Sequence, residues 1–120
     1  MPDDVTPMLA RLRADHDLEL AAVAFNGEVV AADAAGGIDV AQICSTVTDV
    51  MLLGAALGAE MDLGSMRMTS IEYERGTVVM TPLATGEDLV LLTTDPSNLG
   101  QIRIAARRFQ SAYTRASATP

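Results

Sequence analysis

Apolar residues fall along this chain in blocks whose spacing changes from helical to extended and back. Met8, Leu9 and Leu12 share one side of a first segment, with Arg11 and Arg13 on the other, behind Thr6 as an N-cap and Pro7 at the first helical position. This predicts a short helix lying on the surface. Next, Leu20–Phe25 and Val29–Ala32 flank Asn26-Gly27, the pair that most readily takes the positive φ angles of a two-residue turn. They predict a β-hairpin.

A Gly36-Gly37 loop follows, and then Asp39 stands where it can cap a helix, with Gln42 three positions on and Ile38 and Ile43 placed as a hydrophobic staple. The helix is expected to run to about Asp62 and stop at Gly64. Ile43, Val47, Val50, Met51, Leu53 and Leu57 cover more than one stripe of it, so it has to be buried on two sides. Gly54 and Gly58, with Ala55 and Ala59 beside them, leave room either for a second backbone or for the chain's own sheet.

Beyond this helix, Met66–Glu74 alternates as a strand does, and Arg75-Gly76 can turn. Thr77–Leu83 and Leu89–Thr94 are two further strands joined through Ala84-Thr85-Gly86. The last two are apolar throughout, the pattern of a sheet covered on both faces. Asn98, with Gln101 three positions on, caps a final helix that turns Leu99, Ile102, Ala106, Phe109 and Tyr113 to the core and Arg103, Arg107 and Arg108 outwards. Small polar residues after Arg115 read as a disordered tail.

The order is helix, hairpin, long helix, three-strand meander, helix. It predicts one α/β domain over residues 1–120: a profilin-like α/β/α sandwich with a five-stranded antiparallel sheet, ordered over about 5–114, with tails at 1–4 and 115–120. The long second helix lies on one face and the terminal helices on the other.

Composition narrows the chemistry. Apolar residues make up 49% of the chain but aromatics only 3%, so few rings are available to stack on bases or flat cofactors. A net charge of −8 repels phosphate backbones and anionic membranes, and points to partners with basic patches. The basic residues are all arginine, which removes Schiff-base chemistry and the lysine of a phosphate loop. Cys44 and His16 are too few for a zinc site, and a lone cysteine argues against an internal disulfide. With an acidic start that lacks the features of a signal peptide, the expected location is the cytoplasm. The near-apolar run Val50–Ala59, bracketed by Asp49 and Glu60, is too short to cross a bilayer and reads as a buried helix.

The element order, together with Gly27-Glu28-Val29-Val30-Ala31, Thr81-Pro82-Leu83 and Ser97-Asn98-Leu99-Gly100-Gln101-Ile102-Arg103, resembles the Roadblock family of dynein light chains and bacterial mutual-gliding regulators. The Asn-Leu-Gly stretch followed by Arg107-Arg108 is the most specific part, and the match in order spans about Val5 to Tyr113. The resemblance implies a homodimer in which the long helices pack across a two-fold axis and the third strands join the two sheets. On that basis the interface residues are Val47, Val50, Met51, Gly54, Ala55, Gly58, Met66, Met68, Ser70 and Glu72, with Asp39 and Asn98 as structural caps. It further implies a platform for a small Ras-like GTPase, acting as scaffold or activator. The alternative is a light-chain-like adaptor without GTPase regulation, and a small-molecule sensor of similar topology is a third class.

Catalytic readings fare worse. The stretch Gly54-Ala-Ala-Leu-Gly58-Ala-Glu60 lacks the Lys-Ser/Thr ending of a phosphate loop and lies in mid-helix. Cys44 with His16 has neither an orienting third group nor an oxyanion motif, so Cys44 reads as a small apolar residue in a helix interface. Asp15, Asp17 and Glu19, and the pair Glu72 and Glu74 on one strand face, read as solvated edges or docking surface. An arginine finger from Arg103, Arg107 or Arg108 is the sharpest active reading, but solvated or paired arginines are the plainer one. No enzyme activity, cofactor or metal is expected, and neither nucleic acid nor a membrane is an expected partner.

Overall fold

Asn26 and Gly27 take φ angles of 52° and 83°, and between them close a hairpin of strands β1 (Leu20–Phe25) and β2 (Glu28–Ala34). The structure, a computed structural model, describes residues 5–118. Before the hairpin comes helix α1 (Val5–His16); after it come α2 (Val40–Glu60), strands β3 (Thr69–Tyr73), β4 (Gly76–Pro82) and β5 (Asp88–Thr93), a short 3-10 turn at Pro96–Asn98, and α3 (Leu99–Ala118). All strand pairs are antiparallel, in the spatial order β2-β1-β5-β4-β3. The hairpin therefore joins the meander through β1 and β5, and β2 and β3 are the two edges.

Strand alternation sorts the core into two layers. Leu20, Ala22 and Ala24 of β1, Met80 of β4 and Val90 of β5 pack against Cys44, Val47 and Met51 of α2. On the other face Ala21, Val23, Val79, Leu89 and Leu91 meet Leu9 and Leu12 of α1 and Ile102, Ala106, Phe109 and Tyr113 of α3. The central strands are thus covered on both sides, the reason that β4 and β5 have no polar face.

Several boundaries differ from the sequence reading, each for a local reason. Helix α1 already begins at Val5, so Thr6 lies inside it, and its capping position falls outside the described residues. Pro7 is still in the first turn, where amide hydrogens have no helical partner. Arg13 does not point away: its Nε donates to the Leu18 carbonyl at 3.0 Å and its Nη1 meets Asp33 Oδ2 at 3.1 Å, pinning α1 to β2.

At the start of α2, Asp39 Oδ1 accepts from the Gln42 amide at 3.1 Å. The helix ends at Glu60, two residues short of the expected Asp62, because Asp62 takes the left-handed φ of 55°. Asp62 N then donates to Ala59 O and Leu63 N to Gly58 O, the paired bonds of a Schellman ending. Strand β3 is shorter than Met66–Glu74, with Glu74 and Arg75 as the turn and Gly76 already in β4. A Cβ on Gly76 would stand 2.9 Å from the Thr93 carbonyl oxygen of β5, so only glycine lets these backbones approach.

Asn98 stands just before α3, but its side-chain amide donates to Asp95 Oδ2. Asp95 also takes the Ser97 amide and hydroxyl at 3.0 and 2.7 Å, and these bonds hold its carboxyl below the usual range. Helix α3 continues to Ala118 through the segment expected to be a tail.

Candidate protein-interaction surface

Cys44, Val47 and Met51 fix the rotation of α2 by facing the sheet. The residues opposite them change character along the helix. Gln42, Ser45, Thr46 and Asp49 give the first half a polar exterior, whereas the second half presents Leu52, Leu53 (72% exposed) and Leu57, continued by Met61 and Leu63 (70% exposed). Large side chains left open on successive turns are an apolar patch of the kind that marks an interaction surface. Over 18 residues α2 reaches a mean hydropathy of 1.6, and among the described residues it is the one helix long and apolar enough to cross a membrane. The run Val50–Ala59, expected to lie buried, is instead open along its outer side, with Leu52, Leu53, Ala55, Ala56, Leu57 and Ala59 exposed. The caps of α2 and its three core-facing residues hold the helix against the sheet.

Beside this helix lies an unpaired strand. β3 bonds to β4 along one side only, so its other side is free to receive a further strand. Ile71 and Tyr73 of β3 face α2 across an open groove of about 220 Å³, lined also by Ile43, Val50 and Met80. Tyr73 is largely exposed, and Glu72 points away from that groove into solvent.

No family model matches the sequence, and no curated protein matches it either. Solved structures do. MglB of Myxococcus xanthus superposes with a TM-score of 0.88 at 16% identity, covering 94% of both chains. A Roadblock/LC7 domain from Streptomyces avermitilis gives 0.76 at 16% identity, covering 93% of this chain and 99% of that one. An MglB with a tetrameric arrangement gives 0.80 at 16% identity, covering 97% and 92%. The fold is the Roadblock fold.

Within this Roadblock fold the ten residues expected at a dimer interface are not equivalent. Val47 and Met51 belong to the chain's own core, and Met68 packs into the layer on the opposite face of the sheet. Gly54 is filled by the chain's own Met66, while Val50, Gly58 and Ser70 are half-buried and Ala55 and Glu72 exposed. The open residues Leu52, Leu53, Leu57, Met61, Leu63 and Tyr73 were missed as site residues. Once Cys44, Val47 and Met51 set the phase, a step of about 100° per residue puts Leu53 and Leu57 outside.

The catalytic alternatives are separated by the same fold. Cys44 is fully buried between α2 and the sheet, where burial pushes its thiol up, while His16 sits on α1 across the sheet. They cannot meet, and Cys44 is withdrawn from any helix interface. Glu74 lies in a turn, off the strand face that carries Glu72. Arg103, Arg107 and Arg108 are exposed on α3. A polar cluster not foreseen from sequence closes the β4–β5 turn: buried Glu87 accepts from the Thr85 hydroxyl, next to Tyr113. Burial and then the Glu87 charge push Tyr113 up to about 12, and the same two causes push Asp88 up to about 6. Among the described residues no three His, Cys, Asp or Glu side chains gather as a metal site would need.

Proposed function

We propose that this chain is a non-catalytic platform of the cytoplasm that pairs with a second copy of itself and, as a dimer, binds and regulates a small Ras-like GTPase. The observation that supports it best is the apolar outer half of α2 beside the free edge of β3. Covering an exposed leucine is worth about 1.5–3 kcal/mol when complete, and a two-fold contact counts each residue twice. Leu52, Leu53 and Leu57 from two chains therefore weigh against an association cost of about 4–15 kcal/mol. Pairing β3 with its symmetry mate would satisfy the open backbone groups in the same contact. The likeness in fold to MglB supports the regulatory part, and the tetrameric arrangement of one MglB supports assembly.

The test has two stages. Light scattering on the purified chain at micromolar concentration is expected to give twice the chain mass. Tagged protein is then used to capture partners with a non-hydrolysable GTP analogue or GDP present. Retention of a small GTPase with one nucleotide state supports the regulator. Large partners held without regard to nucleotide support the adaptor reading, which the likeness to a Roadblock/LC7 domain favours.

A further inference from the structure

On the sheet face opposite α2, helices α1 and α3 lie side by side, and their charge runs against that of the chain. α3 carries four arginines and no carboxylate, and α1 two arginines and one carboxylate, in a protein of net charge −8. Arg13 is committed to Asp33. Arg11, Arg103, Arg107 and Arg108 are exposed, and among the described residues none of these four has an ion-pair partner. In so acidic a chain, arginines kept only for solubility would be expected to pair with the abundant carboxylates. Here Asp15 is the one carboxylate on the two helices, so this face differs in charge from the acidic remainder of the chain.

The same face is concave and apolar at its base. An open groove of about 470 Å³ runs between α1 and α3, with Met8, Leu12 and Phe109 in its lining and Arg11 and Arg108 beside them. A second depression of about 620 Å³ shares Arg108 with the first and adds Arg107 and the half-exposed Ile104. Arginine is suited to such a place, because its planar fork takes a carboxylate through two parallel hydrogen bonds while its stem covers apolar surface.

We infer that the α1–α3 face is a docking site for an acidic peptide segment of a partner protein. An apolar side chain of that segment enters the groove between the two helices, and flanking carboxylates pair with Arg11, Arg107 and Arg108. The apolar lining favours a peptide over a simple anion, and concavity favours it over a flat bilayer. The acidic remainder of the chain repels any long polyanion that reaches beyond this face, so a short segment fits where a nucleic acid does not. Asp15 beside the groove adds a like charge that sets where the carboxylates can lie. Because the site lies across the sheet from α2, it remains open in the proposed dimer and does not depend on it.

The test uses the full chain and a panel of short, fluorescein-labelled helical peptides, with leucines on one stripe and glutamates flanking them, read by anisotropy. The same peptides with lysine for glutamate, and phosphatidylserine–phosphatidylcholine vesicles, are measured alongside. Acidic peptides are expected to bind, to weaken as salt is raised, and to lose about tenfold in affinity with Arg11→Ala and Arg108→Ala combined. Arg103→Ala, outside both depressions, is expected to change binding by less than about twofold. An unchanged unfolding midpoint in each variant separates loss of the site from loss of the fold. Failure of every acidic peptide, equal binding of the lysine peptides, an unaffected double variant, or binding of vesicles without peptides would each overturn the inference.

Discussion

Met66 lies across Gly54 so closely that a Cβ at position 54 would stand 2.1 Å from Met66 Cε. The gap left by a small residue in α2, which in sequence allows a second helix to approach, is occupied within the chain. Thr69 reinforces this by donating its hydroxyl to Met66 Sδ at 3.0 Å. Exchanging glycine for alanine in a helix is worth about 1 kcal/mol, but here it forces the flexible methionine tip aside. Gly54→Ala is therefore expected to stabilise a Met66→Ala background by about that amount and the wild type by clearly less. Urea unfolding of the four proteins measures the difference, and equal effects in both backgrounds would show that the contact is not made.

Arg13 makes two contacts from one guanidinium, so its loss is expected to exceed that of its partner. Asp33→Ala removes a half-exposed ion pair and is expected to cost at most about 1 kcal/mol. Arg13→Ala also leaves the Leu18 carbonyl without its donor, and is expected to cost about 1 kcal/mol more. Chemical denaturation of both variants, and of the pair combined, tests the order.

Asp88 gives the stability of the fold a dependence on pH. A carboxyl whose folded pKa is raised favours folding while protonated. Its contribution is full below the unfolded value of 3.8 and lost as pH rises through about 6. Asp88→Asn keeps the neutral form at every pH. Because Asp88 is half-exposed and screened by water, the gain expected at pH 7 is about 1 kcal/mol, shrinking to nothing as pH falls through the window from 6 towards 4. Unfolding free energies of wild type and variant along this pH series check both the size and the direction.

Leu53 and Leu57 stand open on α2, so changing them spares the core. Leu53→Glu combined with Leu57→Glu is expected to leave the chain folded, with a single cooperative unfolding transition made weaker only by the lost association, while the mass in solution falls from dimer to monomer. Light scattering and denaturation at one fixed concentration provide both readings. A wild type that runs as a monomer at tens of micromolar would sink the proposed dimer.

What the sequence by itself determined are the features with local causes. Asn26-Gly27 dictates the hairpin through its positive φ angles, Asp39 marks the start of α2 through its bond to the Gln42 amide, and unbroken apolarity shows that β4 and β5 are covered on both faces. Tertiary structure alone decided which side of α2 meets the sheet. Periodicity tells which residues share a stripe, but a helix apolar on most of its circumference offers several stripes, and only docking against Met80, Val90 and the alanines of β1 selects Cys44, Val47 and Met51. That choice sends Leu52, Leu53 and Leu57 outwards, closes Met66 over Gly54, and places Cys44 and His16 on opposite faces of the sheet. The basic groove between α1 and α3 has the same origin: Arg11 and Arg108 are distant in sequence, and the sheet brings their helices side by side.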